Sequence, residues 1–312
     1  MTGPSASPPD VSAAVQALKP QLTRMSVWAL LGMTVSGIVT LYAVIASITL
    51  IEENSDGDRF KVALFAGIMG ILLMAFIYGR MRRSQEALVM PHVAQAVGLT
   101  YYKDASGFLN ALPERLLPRA SVRKAEDLVV GQLGSHSIQL AEVSIETGGK
   151  NSRTLFKGVV AQFRNSIQMP AFFLAPHEQT RPGMIFKAWI PTDGLYHQRD
   201  VVGPSGTTYG LWTSWTDAQE APALNSVVDI LTSLENRLPG PMSLFTATSN
   251  GIEMHIALRH FRDLYRVGGL FPAESHLLSQ VSQATQDLSV PLNLVKELVA
   301  AELAVADQTK TG

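Results

Sequence analysis

The chain has 312 residues, 46% of them hydrophobic, and its 25 basic and 26 acidic side chains nearly cancel to a net charge of −1. It contains no cysteine, which excludes disulfides, thiolate catalysis, iron–sulfur clusters and cysteine-based zinc sites. Residues 84–312 carry 18 basic and 21 acidic side chains, so the electrostatic footprint of a nucleic-acid-binding protein is absent and no nucleic-acid partner is expected.

The N-terminal quarter of the chain predicts a membrane hairpin. Residues 1–24 read as a disordered and then amphipathic N-terminus, and two uncharged apolar runs follow at 25–51 and 62–79. At about 1.5 Å of helix rise per residue these runs extend roughly 40 Å and 27 Å, against a hydrocarbon core of about 30 Å. Residues 25–79 therefore predict two transmembrane helices, with small residues positioned for close packing at Gly32, Ser36, Ala63, Gly67 and Gly70.

The distribution of basic residues predicts the orientation of this hairpin. Five basic residues flank its outer ends and two lie in the connecting loop, which places both termini and the soluble domain in the cytoplasm, at a bacterial inner membrane. An alternative for the first run is a secretory signal with Ala46 near its end, but the run far exceeds the 7 to 15 residues of a signal core.

Basic residues near the bilayer are the candidate lipid-headgroup site. The second apolar run is followed directly by Arg80, Arg82 and Arg83, where each arginine is worth about 1 kcal/mol against anionic lipid. Two further groups are candidates to extend this surface, although ordinary solvated charge is the more typical explanation: Arg115, Arg119, Arg123 and Lys124, and then Arg259, His260, Arg262 and Arg266.

Residues 80–120 predict a juxtamembrane helix and connection, with the helix interrupted at Pro91 and stopped at Gly98. Residues 121–273 predict a cytoplasmic α+β domain, because short strands bounded by Gly and Pro follow one another as in an antiparallel sheet. The expected strands are 127–133, 137–145, 154–163, 169–174, 184–190 and 207–212, then a helix at 222–238 and a hairpin at Asn250-Gly251 in which both turn residues need positive φ.

The C-terminal region, residues 274–312, predicts two helices, 274–288 and 291–306, and a tail. Their apolar faces are a candidate dimer or partner surface. The fold class is therefore α+β: an N-terminal two-helix transmembrane hairpin, then a soluble domain with an antiparallel β-sheet, packed helices and a helical C-terminus.

No motif in the chain declares a reaction, and the sequence assigns no catalytic, cofactor-binding or metal-binding residue and no cofactor. In a strand, Glu253 and His255 share a face, so a two-ligand metal contact is possible there, but a third ligand is missing and an ordinary sheet pair is more typical.

One stretch resembles a known family. The segment Leu-Phe-Lys-Gly-Val-Val-Ala-Gln-Phe at 155–163, with the paired apolar runs, the segments 92–101 and 249–258 and Phe271-Pro272, resembles the bacterial membrane-protein family called domain of unknown function 3137. The resemblance implies an inner-membrane hairpin with a cytoplasmic α+β domain and no established catalytic residues. It also implies a protein partner, because family members are often encoded beside small helical membrane proteins of the LemA type. Phe156, Lys157 and Gly158 alternate as in a closely packed core strand.

These observations favour a membrane-anchored cytoplasmic interaction or scaffolding module. Its expected partners are membrane lipid and either another membrane protein or a second copy of the chain. The alternatives are a module that responds to anionic lipid, and an enzyme whose site assembles from separated residues such as Asp193, His197, Glu253 and His255. A transporter or channel is disfavoured because the spans contain no charge.

Overall fold

The computed structural model describes residues 11–52, 57–134, 136–165, 169–177, 194–215, 222–236, 238, 242–260, 264–265, 267–270 and 274–311. The predicted α+β class is confirmed: two long apolar helices precede a nine-stranded antiparallel sheet, and a long helix ends the chain. The chain forms two compact units. One comprises Met1–Ala96 with Tyr265–Thr285, and the other comprises Val97–Leu264 with Gln286–Gly312.

The first unit is built on helices α1 (Val11–Glu52) and α2 (Gly57–Ala96). The predicted interruption of α2 at Pro91 is wrong, since the helix continues through this proline to Ala96. Met90 and Val93 on either side of Pro91 are fully buried, and this packing offsets the hydrogen bond that proline removes. Gly98, just beyond the helix, has a φ of +78°, as expected for a C-terminal stop.

The small residues of the two helices pack where the sequence placed them. Ser36 Oγ on α1 donates a hydrogen bond to the Gly70 carbonyl on α2 at 3.0 Å. A Cβ atom added at Gly70 would overlap the Thr40 side chain on α1, whereas one added at Gly32 would make ordinary contact with Ile77 at 3.4 Å. The absence of a side chain at Gly70 thus lets the two helices approach closely, as in membrane helix pairs.

The second unit is built on one antiparallel sheet of nine strands. The strands are β1 Leu99–Asp104, β2 Val122–Leu133, β3 His136–Glu146, β4 Thr154–Arg164, β5 Phe172–Pro176, β6 Tyr196–Val202, β7 Thr208–Thr213, β8 Ser243–Ser249 and β9 Glu253–Arg259. Their order across the sheet is β1-β2-β3-β4-β9-β8-β5-β7-β6. The predicted strands 169–174 and 207–212 correspond to β5 and β7 with shifted ends, and 184–190 lies outside the described residues. Two strands, β1 and β6, were not predicted.

Two short helices accompany the sheet, α3 (Ser106–Ala111) and α4 (Pro222–Ser233). A 3-10 turn at Leu234–Asn236 continues α4, close to the predicted end of this helix. The hairpin between β8 and β9 is confirmed, but only Gly251 has a positive φ, at +94°. Asn250 contributes differently from the prediction, because its Oδ1 accepts the N–H groups of Ile252 and Glu253 at 2.9 and 2.8 Å.

The segment that resembles the known family is a packed core strand. On β4, Phe156 is buried and Gly158 lies between β3 and β9, opposite Val143 and Arg259. A Cβ at Gly158 would overlap the carbonyl oxygen of Leu258 on β9. This strand therefore needs glycine at Gly158 for close approach to its neighbour.

The C-terminal helix α5 (Glu274–Thr311) is continuous, so the predicted division into two helices and a tail is wrong. Pro291 and its neighbour Leu292 are buried, and this packing again holds the helix through the proline. Five of the apolar positions expected to face a partner are buried within the chain itself: Leu277, Val281, Leu288, Leu294 and Leu298. These five are not available to a partner, whereas Ala301 is half-buried and the side chain of Val305 lies outside the described ones.

Candidate functional site

The helices α1 and α2 give the molecule a surface unlike that of a soluble protein. Two segments, Ala13–Ala46 and Leu64–Ala96, are long and apolar enough to cross a membrane, and in each the most apolar stretch is only 11% buried. Large apolar side chains point outward along them, including Trp28 at 65% and Tyr42 at 75% exposure. A helix from a soluble core would bury these groups, so the pair is suited to face lipid, which favours a membrane-associated protein.

A buried glutamine ties a distant segment to this hairpin. Gln85 on α2 is fully buried, and its Nε2 donates to Ser26 Oγ at 2.9 Å and lies 3.3 Å from the Leu22 carbonyl oxygen. Its Oε1 accepts the N–H of Gly269 at 2.8 Å, and its Nε2 lies 3.3 Å from the Gly269 carbonyl oxygen. Gln85 thus uses both ends of its amide to hold the backbone at Gly269 against both helices.

A second glutamine continues this polar network. Gln280 on α5 accepts the N–H of Gly268 at 2.8 Å through Oε1, and its Nε2 lies 3.3 Å from the Gly268 carbonyl. Gly268 has a φ of +100°, and a Cβ there would lie 2.9 Å from Gln85 Cβ. Only glycine meets both conditions, because a side chain would strain the backbone and displace Gln85. We call Ser26, Gln85, Gly268, Gly269 and Gln280 the glutamine clamp.

The three arginines predicted at the lipid headgroups lie on α2 itself. Arg80 and Arg83 are exposed and Arg82 is half-buried, directly after the apolar part of the helix. Because α2 is one continuous helix, these arginines lie at a fixed distance along its axis from its exposed apolar side chains. A separate candidate, Arg259, lies elsewhere: its guanidinium sits 4.4 Å from the ring centroid of Phe245 and donates to the Leu155 carbonyl.

The histidine considered for metal binding, His255, is buried in the sheet. It is 2% exposed, and neither ring nitrogen has a hydrogen-bond partner among the described residues. Its cross-strand neighbours, Gln162 and Thr248, are neutral, and burial lowers the pKa of His255 to about 4. Glu253 lies near Gln162 Nε2 at 3.4 Å. Within the described residues, neither Glu253 nor His255 belongs to a group of three candidate metal ligands.

The burial of His255 predicts that the unfolding free energy depends on pH. Its folded pKa of about 4 lies below the unfolded value of 6.5, so its contribution is complete above pH 6.5 and is lost as the pH falls toward 4. That difference corresponds to about 3 kcal/mol. We expect His255→Leu to flatten the pH dependence of unfolding free energy by this amount between pH 7 and pH 4, measured by denaturant titration of the full chain in detergent.

The control for this experiment is His276→Leu, which changes an exposed histidine on α5. This variant should keep the wild-type pH dependence, because it leaves the buried imidazole of His255 in place. Equal slopes for wild type and His255→Leu would contradict the burial argument.

Three ligand-type side chains come together elsewhere in the second unit. His177, His197 and Asp200 place one donor atom each within 4.8 Å of one another. His197 was among the residues considered for a dispersed enzyme site, whereas His177 and Asp200 were missed and Asp193 lies outside the described residues. Hydrogen bonds from His177 and then His197 hold the pKa of Asp200 below its usual value.

Comparisons with known proteins add little to this description. No family model matches the chain, and no curated protein matches its sequence significantly. Among solved structures, the crystal structure of the mycobacterial trehalose monomycolate transport factor A is weakly similar, with 12% identity and a TM-score of 0.31. That match covers 64% of this chain and 93% of the other.

Proposed function

We propose that the protein is a membrane-anchored interaction or scaffolding module at the cytoplasmic face of a bacterial inner membrane. Its hairpin lies in the bilayer, and its sheet domain docks another membrane protein or a second copy of the chain. The lipid-suited surface of α1 and α2 supports the anchoring role. The basic residues at both outer ends of the hairpin support the cytoplasmic orientation. A reporter fused at the C-terminus is then active only inside the cell, and activity only outside would reject this orientation.

The observation that carries the docking role is the position of exposed apolar side chains. Outside the helices, five large apolar side chains of the described residues are exposed, and three of them lie on β6 or just after β7. These three are Tyr196 at 61%, Val202 at 67% and Trp215 at 49% exposure. Tyrosine and tryptophan are enriched at protein interfaces and dominate their energetics. We call these three residues the β6 edge group.

The strand β6 itself is protected against simple strand addition. It is the last strand of the sheet, but a β-bulge follows His197, and Arg199 and Asp200 lie on it. Bulges and charges are the usual devices that keep an edge strand from pairing with another chain. A partner would therefore engage the β6 edge group through side chains and not by extending the sheet.

Site-specific photocrosslinking in intact membranes tests this proposal. A photoreactive amino acid at Tyr196 or Val202 is expected to trap one species of defined mass, and twice the chain mass identifies self-association. The matched control places the same amino acid at Thr100 or Gln132, exposed positions on the opposite side of the strand order. Equal crosslinking at test and control positions, or none at the test positions, would reject the β6 edge group as the docking surface.

A second function, a response to anionic lipid, is favoured by the placement of Arg80, Arg82 and Arg83. In nanodiscs, anionic lipid should raise the unfolding temperature of the wild-type chain, and substituting the three arginines by glutamine should remove most of this rise, at about 1 kcal/mol per arginine. The control pair Lys150→Gln and Arg153→Gln changes two exposed charges between β3 and β4, outside the candidate lipid-headgroup groups. No difference between neutral and anionic lipid would dismiss the idea.

Membership of the family called domain of unknown function 3137 is part of the same proposal. It is supported by the segment 155–163, whose glycine the fold requires for close strand approach. A partner of the small helical membrane-protein type fits the docking role, and the photocrosslinked species would reveal it by mass.

A further inference from the structure

Three side chains converge on one carboxylate oxygen near the β6 edge of the sheet. Asp200 Oδ1 lies 2.9 Å from His177 Nε2 and 2.8 Å from His197 Nε2. The three side chains are 41%, 48% and 49% exposed, in the order His177, His197 and Asp200. A solvated ion can therefore reach all three donor atoms.

A β-bulge brings two of these residues onto the same face of the sheet. In a regular strand, residues three apart point to opposite faces, so His197 and Asp200 would be separated. The register of β6 shifts between His197 and Arg199, so that His197 pairs with Trp212 and Asp200 pairs with Gly210. Trp212 and Gly210 are two apart on β7 and face the same side. Bulges often re-aim side chains next to functional sites.

The third ligand, His177, lies just beyond the end of β5, the strand that pairs with β7 on its other side. Ala175 pairs with Gly210, and His177 follows Ala175 by two residues. Ala175 and Gly210 lie on this face between the ligand strands, and the indole of Trp212 covers Gly210. The three donor atoms therefore meet on the solvent-exposed side of this face, and we call His177, His197 and Asp200 the His-His-Asp cup.

An aromatic residue borders the cup. The ring of Trp212 lies edge-on to His197, with centroids 5.4 Å apart, and it also packs against Phe173 at 5.6 Å. A Cβ at Gly210 would lie 2.6 Å from Trp212 Cζ3, so glycine is needed for this ring position. The indole therefore restricts the orientation of the His197 imidazole.

We propose that the His-His-Asp cup binds one divalent transition-metal ion, with zinc as the best fit. Two imidazole nitrogens and one carboxylate oxygen are a typical ligand set for zinc, and calcium and magnesium prefer all-oxygen sites. In a tetrahedral zinc site the donor atoms lie about 3.3 Å apart. The donors here need only small movements from their present separations to reach this spacing.

Binding changes the tautomer of both imidazoles and releases no proton. Each imidazole must present an unprotonated Nε2, so its single proton moves to Nδ1, and the hydrogen bonds to Asp200 Oδ1 are replaced by bonds to the metal. Three protein ligands leave a fourth position open to water or to a donor atom from another molecule. That arrangement is the one found in zinc sites that bind exogenous ligands.

Zinc titration of the full chain in detergent, with any affinity tag removed, tests this proposal. A chromophoric chelator in competition is expected to report one high-affinity zinc ion per chain. His197→Gln and Asp200→Asn should each weaken zinc binding by 10-fold to 100-fold or more. Changing a residue that only hydrogen-bonds a metal ligand already weakens metal binding by this factor, and these two residues are ligands themselves. His276→Gln, an exposed histidine on α5, is the matched control and should bind as the wild type does.

Tryptophan fluorescence provides a second readout that does not depend on the chelator. Copper(II) in the cup should quench Trp212, because this indole lies against His197, and the quenching should saturate at one ion per chain. His197→Gln should abolish the saturable quenching, and an unchanged unfolding midpoint shows that the variant is folded. No stoichiometric binding, or binding that survives both His197→Gln and Asp200→Asn, would overturn the proposal.

Discussion

Gly158→Ala is expected to lower the unfolding temperature of the sheet domain by roughly 6 to 12 °C, which corresponds to about 3 kcal/mol for a unit of this size. The added methyl group would overlap the backbone carbonyl oxygen of Leu258 and would lie 2.8 Å from the ring of Phe156. Backbone cannot rotate away as a side chain can, so β4 and β9 must separate at the centre of the sheet. Tryptophan fluorescence of the full chain in detergent during thermal unfolding measures the shift.

Gly107→Ala is the matched control for this substitution. Gly107 lies in helix α3, and a Cβ there would have no neighbour within 4 Å. Alanine is favoured over glycine in a helix by roughly 0.5 to 1 kcal/mol, so this variant should unfold at the same temperature or slightly higher. If both alanine variants unfold together with the wild type, the close approach of β4 and β9 is not required for stability.

The central strands could be predicted because their patterns are strong. The segments of β3, β4, β8 and β9 are rich in apolar and β-branched residues, a glycine turn joins β3 to β4 and an Asn-Gly turn joins β8 to β9, and the structure buries their apolar residues. The edge strands β1 and β6 were missed for the converse reason. Solvent reaches β6 on both faces, and its exposure pattern has no apolar alternation for sequence analysis to detect.

Two prolines caused the errors in the predicted helix ends. Pro91 and Pro291 each break one hydrogen bond, and from sequence alone this predicts an interruption. Burial on both sides of each proline offsets the loss, and burial is a property of the folded chain. The apolar pattern therefore predicted the helices correctly, whereas the prolines predicted divisions that the helices do not have.

Most residues of the candidate sites could not be predicted from the sequence, because they are far apart in the chain or come together only through a shift in strand register. The spacing of His197 and Asp200 predicts opposite faces, and only the bulge in β6 reverses this. His177 belongs to another strand segment, twenty residues earlier in the chain. Gln85 looks like a surface residue in a helical pattern, yet its partner Gly269 lies 184 positions away. Arg80, Arg82 and Arg83 could be proposed for lipid-headgroup binding from the sequence, because that proposal depends only on their position next to an apolar run.

Gln85→Leu is expected to release the glutamine clamp. Leucine fills a similar volume but cannot hydrogen-bond, so the N–H of Gly269 loses its acceptor and Ser26 loses a donor. Leaving buried polar groups unsatisfied costs about 3 kcal/mol in total. We therefore expect hydrogen exchange at Gly269 to become about 100-fold faster, since each 1.4 kcal/mol is a factor of ten. Mass spectrometry of peptides covering residues 264–270, from the full chain in detergent, measures this rate.

Two further variants make the test of the glutamine clamp specific. Gln95→Leu removes an exposed glutamine ten residues further along α2 and should leave exchange at Gly269 unchanged. Ser26→Ala removes one of the three acceptors near Gln85 Nε2 and should accelerate exchange by less than Gln85→Leu does. The Gly268 amide, held by Gln280, is an internal reference and should respond more weakly than Gly269. Equal acceleration in Gln85→Leu and Gln95→Leu would mean that general loosening of α2, not loss of the clamp, exposes this segment.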